Sequence, residues 1–277
     1  MLTESSEEFF AAFGFVVADS GVLGDALPQL RVESERAIAR AYPLDPGRTL
    51  LLPAMSEEHS RHSLSVLHDP RLTGTAERLL GDRVLVKPPK ITRFAVPTNW
   101  HRDCYMPLRG VKVATYFGDH GTTPFHLVPG SHRGPARRYV DRLFGRTTVR
   151  RPSSSDRDPT RVLPPGVPVH TVHLEPGQLL MFDLGLWHAN LSADRRLQWA
   201  VTYLAVPRDP GTVDETALHL AEFYEYTIPY PAEEFPYFPA SWHRKESGSE
   251  LFRAASDSGV WDRFLELRPD RSWGGAE

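Results

Sequence analysis

With a single cysteine, Cys104, in 277 residues, the chain cannot close an internal disulfide, which excludes the small disulfide-stapled scaffolds of secreted proteins. It also lacks any apolar run approaching the roughly 20 residues that a membrane-spanning helix needs. An excess of positive charge is missing too: 32 Lys and Arg face 35 Asp and Glu, for a formal charge of −3. That balance offers no global attraction to nucleic acid or to an anionic membrane. The opening stretch "MLTESSEEFF" is acidic where a secretory signal is basic. These absences lead to the expectation of a cytoplasmic enzyme whose partner is a small molecule, with no nucleic-acid or membrane partner.

What is present reads as one domain over 1–277, long enough to bury a substantial core. Its first part, 1–82, is mainly helical: residues 5–13 are closed by Gly14 and followed by the apolar strand "FVVA". In 26–42, Leu27, Leu30, Ala37, Ile38 and Ala41 share one helical face. A further helical stretch between Ser56 and Leu80 carries His59, His62 and His68, which read as a solvated face because no carboxylate partner stands near. From residue 83 to 206 the texture changes to short runs rich in Val, Thr, Phe and Tyr, bounded by Pro and Gly: "RVLVK", "KITRFAV", "GVKVATYFGD", "PFHLVPGSH", "PVHTVHL", "GQLLMFDL" and "LQWAVTYLAV". Such runs indicate an antiparallel barrel or sandwich, so the fold class is mainly β with flanking helices. Within it, 134–168 is crowded with Arg, Pro, Ser and Asp without a steady period, which predicts an irregular, exposed insertion. A C-terminal extension, 207–277, follows.

The chemistry-bearing stretch is "TNWHRDCYMP", residues 98–107. In an extended segment, residues i and i+2 project from one face, so His101 and Asp103 can offer an imidazole and a carboxylate to one ion. A lone His-x-Asp arises readily by chance and needs a third ligand. Downstream, "PGQLLMFDLGLWHANLSADRRLQWAVTY" launches a strand from the Pro176-Gly177 turn and places His188 just past its end. Two histidines and one carboxylate on one side of an octahedral ion leave three positions open, the arrangement used by non-heme Fe(II) oxygenases.

Five elements in order, "FFAAFGFVV", "WHRD", "HLVPGSHRG", "PGQLLMFD" and "WHANLSADRRLQWAVTY", resemble the phytanoyl-CoA dioxygenase-like family of Fe(II)/2-oxoglutarate-dependent oxygenases, in its bacterial secondary-metabolite branch. The resemblance spans residue 8 to about 206. It implies a double-stranded β-helix, or jelly roll, with helices on one side. It implies Fe(II) held by His101, Asp103 and His188, 2-oxoglutarate as cosubstrate and dioxygen as oxidant. The same resemblance gives the far carboxylate of 2-oxoglutarate to an arginine after the distal histidine. Arg195 and Arg196 both stand there; the register counted from Tyr203 favours Arg196, whose guanidinium fork suits a carboxylate. Lys90, Thr92 and Thr115 are further candidates for the cosubstrate site, against the simpler role of filling the barrel.

His132 reads as a rim-shaping residue, His126, His170 and His173 as strand residues, and Cys104 as a packed side chain. Because Asp103 keeps a carboxylate where halogenating relatives have a small residue, the reaction expected is hydroxylation or oxidative cyclisation. The segment 222–243, "EFYEYTIPYPAEEFPYFPASWH", mixes rings, carboxylates and prolines in a way that suits a cover over a polar natural product such as a glycosylated antibiotic intermediate. It equally suits an anchor for the C-terminal extension. Two other classes compete: a non-oxidative cupin-type metal enzyme (isomerase or lyase), which would not need Arg196, and a non-catalytic ligand-binding relative.

Overall fold

The computed structural model describes residues 3–19, 21, 23–24, 26–44, 47–117, 122–143, 163, 166–192, 194–221, 230–243 and 249–267. The first part runs α1 (Glu4–Phe13), β1 (Phe15–Ala18), α2 (Ala26–Ala41), β2 (Leu50–Pro53), α3 (Arg61–Leu67) and α4 (Pro70–Leu80). The β-rich part follows with β3 (Val84–Phe94), β4 (Thr98–His101), β5 (Gly110–Phe117), β6 (Thr123–Leu127), α5 (Gly134–Leu143), β7 (His170–Leu174), β8 (Leu179–Asp183), β9 (His188–Asn190) and β10 (Arg196–Ala205). Helices α6 (Pro210–Ala221), α7 (Glu250–Asp257) and α8 (Val260–Leu267) close the order. Among the described residues no helix is long and apolar enough to cross a membrane.

The strands form two antiparallel sheets, a six-stranded one in the order β1-β8-β5-β10-β3-β2 and a four-stranded one in the order β4-β9-β6-β7. The expected jelly roll with flanking helices is therefore what the chain builds. Strand β10 shows how its two faces are used, since every residue from Arg196 to Leu204 is buried. Odd-numbered side chains meet the helices: Trp199 donates its indole N–H to Ser63 Oγ at 3.1 Å and Tyr203 its hydroxyl to the Leu67 carbonyl at 3.1 Å, both on α3. Even-numbered Arg196 and Gln198 point the other way, into the space between the sheets, because strand side chains alternate.

Local chemistry sets the element ends. Thr3 and Ser6 form a reciprocal cap at the start of α1, and Gly14 ends it with φ +84°. A Cβ at Gly14 would come within 2.6 Å of His132 Nδ1, so this glycine serves both the backbone and a close approach. His132 is buried, with its ring against this turn. The helical stretch 56–80 is two helices, because Asp69 caps α4 and Pro70 takes its first position, where a missing N–H costs nothing.

One expectation changes, and for one segment the described residues favour one of the two readings left open. Residues 134–143 are helix α5 rather than irregular chain, with Val140 buried against the four-stranded sheet in a cluster that holds Trp100, Trp187 and Ala189; residues 144–162 lie outside the described part. Of the aromatic segment 222–243, residues 222–229 also lie outside it. The described remainder is packed into the helical layer: Tyr237 and Phe238 are 0% and 3% exposed, Tyr237 donates to the Leu220 carbonyl at 2.8 Å, and the Phe238 ring stands 5.0 Å from Trp261 and 5.7 Å from Phe264.

Candidate metal centre

Three side chains converge between the sheets. His101 ends β4, Asp103 follows in the bend and His188 opens β9, where it is the cross-strand partner of His101. The rings of His101 and His188 lie 4.2 Å apart. Asp103 Oδ1 is 3.7 Å from His101 Nε2 and its Oδ2 is 3.9 Å from His188 Nε2, and one ligand atom from each residue falls within 4.8 Å of the others. Among the described residues this is the one such group of His, Cys, Asp or Glu.

The ring nitrogens are set for ligation. His101 donates Nδ1–H to the Asn99 carbonyl at 2.6 Å and His188 donates Nδ1–H to the Leu186 carbonyl at 2.9 Å. A ring whose Nδ1 carries the proton presents a lone pair on Nε2, so both are pre-set to bind a cation. Burial lowers the His188 pKa to about 3, with the neighbouring His101 and Lys112 adding to the effect, so this ring is neutral at physiological pH. Burial works to raise the Asp103 pKa, but the Lys112 ammonium and both imidazoles outweigh it and hold the carboxyl well below the usual range. Lys112, from β5, makes its contact through Nζ at 2.9 Å from Asp103 Oδ2.

Further contacts hold the strands that carry these residues. Phe125 stacks on His188 at 5.3 Å and 16°, and Phe182 lies 4.7 Å from it. On the far side of the four-stranded sheet, Asp141 of α5 accepts the Trp187 indole N–H at 2.8 Å and pairs with the buried Arg102 at 3.5 Å. Arg102 separates His101 from Asp103 and Trp187 precedes His188, so one carboxylate ties together the residues adjacent to all three candidate ligands.

Arg196 lies alongside on the inner face, 5% exposed. Its Nη1 donates to the Ser192 carbonyl at 3.1 Å and its Nη2 to Thr98 Oγ1 at 3.2 Å, while the Phe94 ring lies 4.4 Å from its centre. No carboxylate among the described residues pairs with it, and its Nε is buried without a partner. Burial accordingly pushes its pKa down. Asn190, two residues past His188 on β9, also buries its Nδ2, which lies near the Tyr116 hydroxyl without forming a well-shaped hydrogen bond. Between them Gln198 donates to the Tyr116 hydroxyl at 2.6 Å. Arg195, by contrast, is exposed.

The remaining candidates divide by strand parity. Thr92 and Lys90 pair with Gln198 and Ala200 across the sheet and so share the inner face with Arg196. Thr115 does not: its cross-strand partner is Trp199, which faces α3, so Thr115 is turned toward the helical layer and away from the cluster. Residues not singled out from sequence, Thr98, Lys112, Tyr116, Asn190 and Gln198, complete the inner wall. Two of them were findable by counting two positions on from His188 and Arg196; the others needed the pairing.

Neither a family model nor a curated protein sequence matches the chain. Solved structures do. The non-heme alpha-ketoglutarate-dependent carbocyclase SnoK from nogalamycin biosynthesis aligns with a TM-score of 0.55 at 19% identity over 74% of this chain and 85% of its own. AviO1 from Streptomyces viridochromogenes Tue57 aligns at 0.54 and 19% over 76% and 99%. HygX from Streptomyces hygroscopicus, solved with nickel and 2-oxoglutarate bound, aligns at 0.52 and 20% over 74% and 88%. The fold is thus one shared with 2-oxoglutarate-dependent enzymes.

Proposed function

We propose that this chain is an Fe(II)/2-oxoglutarate-dependent oxygenase that hydroxylates or oxidatively cyclises a small polar natural product. The observation that carries the reading is the pairing of the His101–Asp103–His188 cluster with a buried guanidinium, Arg196, that forms no ion pair with a carboxylate among the described residues. Two imidazoles and a carboxylate fit Fe(II), and they leave open positions for a chelating cosubstrate. Arg196 Nε and Asn190 Nδ2, both buried donors without a well-formed hydrogen bond among the described residues, fit a carboxylate-bearing molecule, since buried polar groups are normally paired. A non-oxidative isomerase or lyase on the same barrel, which takes no 2-oxoglutarate, would have no use for such an arginine. When bound, the iron, 2-oxoglutarate and dioxygen together supply the oxidising power needed to attack an unactivated C–H bond.

The protein's own part is binding, orientation and exclusion of water. Arg196 holds the far carboxylate of the cosubstrate, with Tyr116, Gln198 and Asn190 forming the polar wall beside it. Thr92 and Lys90 line the same face from β3. Phe125 and Phe182 close an apolar wall behind His188, keeping that ligand dry and fixed. The place of SnoK in nogalamycin biosynthesis supports the natural-product substrate class.

Anaerobic titration of the metal-free protein with Fe(II) and 2-oxoglutarate tests the reading. The expected result is a visible charge-transfer band that is lost in His188→Ala, followed, on admitting oxygen, by succinate formation. A protein that binds a divalent ion but neither shows the band nor forms succinate is a non-oxidative metal enzyme instead.

A further inference from the structure

Lys112 is not needed to build the cluster, and its charge works against it. Two imidazoles and a carboxylate suffice for a divalent cation, and an ammonium nearby repels one. Yet the alternation of β5 turns this side chain inward beside Tyr116 and Ala114, 7% exposed. Its Nζ lies 2.9 Å from Asp103 Oδ2, its one ion pair among the described residues, with the Phe182 ring 5.6 Å away.

The consequence lies in how many oxygens Asp103 can give. A free carboxylate can chelate through both oxygens, taking two of the six positions of an octahedral ion. With two imidazoles that would leave two, which a chelating cosubstrate fills alone. An ammonium on one oxygen takes up one of its lone pairs and draws off its charge, which favours ligation through the other oxygen alone, and three positions then remain. An ammonium suits the task because it carries three donors and no lone pair, so it cannot compete as a ligand. We propose that Lys112 is a positioning residue that keeps Asp103 a one-oxygen ligand and so preserves the position where the gaseous cosubstrate enters. The inference rests on the oxygenase reading above.

Nitric oxide is the probe, because it enters at the gas position and reports by EPR without any turnover. Wild-type protein, Lys112→Met and Lys112→Gln are loaded anaerobically with Fe(II) and 2-oxoglutarate, iron affinity is measured, and nitric oxide is added. Wild type should give a full high-spin iron–nitrosyl signal. In Lys112→Met, iron should bind as tightly or more tightly, since a like charge is gone, while the nitrosyl signal falls by about tenfold or more, the size usual for a lost partner of a metal ligand. Lys112→Gln, which keeps a donor without the charge, should recover most of the signal and also serves if the Met variant fails to fold. A wild-type nitrosyl signal in Lys112→Met overturns the proposal. So does loss of iron itself, which would make Lys112 a requirement for the ligand set rather than for its open position. If wild-type protein binds no iron–cosubstrate complex, the oxygenase reading falls, a result visible before either variant is compared.

Discussion

Replacing Arg196 by Met separates the cosubstrate anchor from the fold in one measurement. In the cosubstrate complex, the loss of a buried charge-assisted pair costs on the order of 2–5 kcal/mol. At 1.4 kcal/mol per tenfold, affinity for 2-oxoglutarate should drop by about 30- to 4,000-fold. Without cosubstrate the sign differs. The guanidinium is then a buried cation whose Nε has no partner and whose bonds to Ser192, Asp194 and Thr98 are 3.1–3.4 Å long. Removing a charge held so poorly offsets the lost contacts, so apo stability should stay within about 1 kcal/mol of wild type or rise. Arg195→Ala, at an exposed position, should change either quantity by no more than about 0.5 kcal/mol. Calorimetric titration with 2-oxoglutarate under anaerobic Fe(II), beside thermal melts of the metal-free proteins, supplies both numbers. Wild-type affinity in Arg196→Met, or a larger loss in Arg195→Ala, would refute the strand register on which the assignment stands.

Two further outcomes follow from the packing. The His132 pKa is lowered to about 4 by burial, with Arg133 and Arg137 adding to it. Its folded value lies below its unfolded one, so the unfolded chain takes up more protons between them; stability is complete above about pH 6.5 and is lost as pH falls toward 4, by up to about 3 kcal/mol. Chemical denaturation across that window should show a shallower decline for His132→Gln, and an unchanged slope would remove His132 from the account. Phe238→Ala should cost about 3–5 kcal/mol while leaving 2-oxoglutarate affinity intact; a folded, stable variant with altered substrate coupling would instead return this part of the chain to the substrate cover.

The residues that could be read in advance are those whose chemistry repeats along the chain. His101 and Asp103 are two apart in extended backbone, and the turn at Pro176-Gly177 announces the strand leading to His188. The face of Thr115 was not legible, because β5 is buried on both sides and carries no alternation of polarity to fix its parity. "RVLVK" and "KITRFAV" read as two strands, since Pro88 and Pro89 interrupt them; in the fold they are one, β3, with a register shift against β10 between Ala200 and Thr202 that absorbs the prolines. Strand β9 has three residues, too few for any period to appear. Helix α5 hid among arginines, because only Val140 on it is buried.

The carboxylate of Asp141 works like a mooring set upstream of a long line. It sits near the end of α5, before the chain runs on toward β7, and it holds Trp187 and Arg102 from outside the barrel. Both contacts are made by a side chain that precedes Leu143, so a change in the length of the chain between α5 and β7 would leave the tie on Arg102 and Trp187 in place.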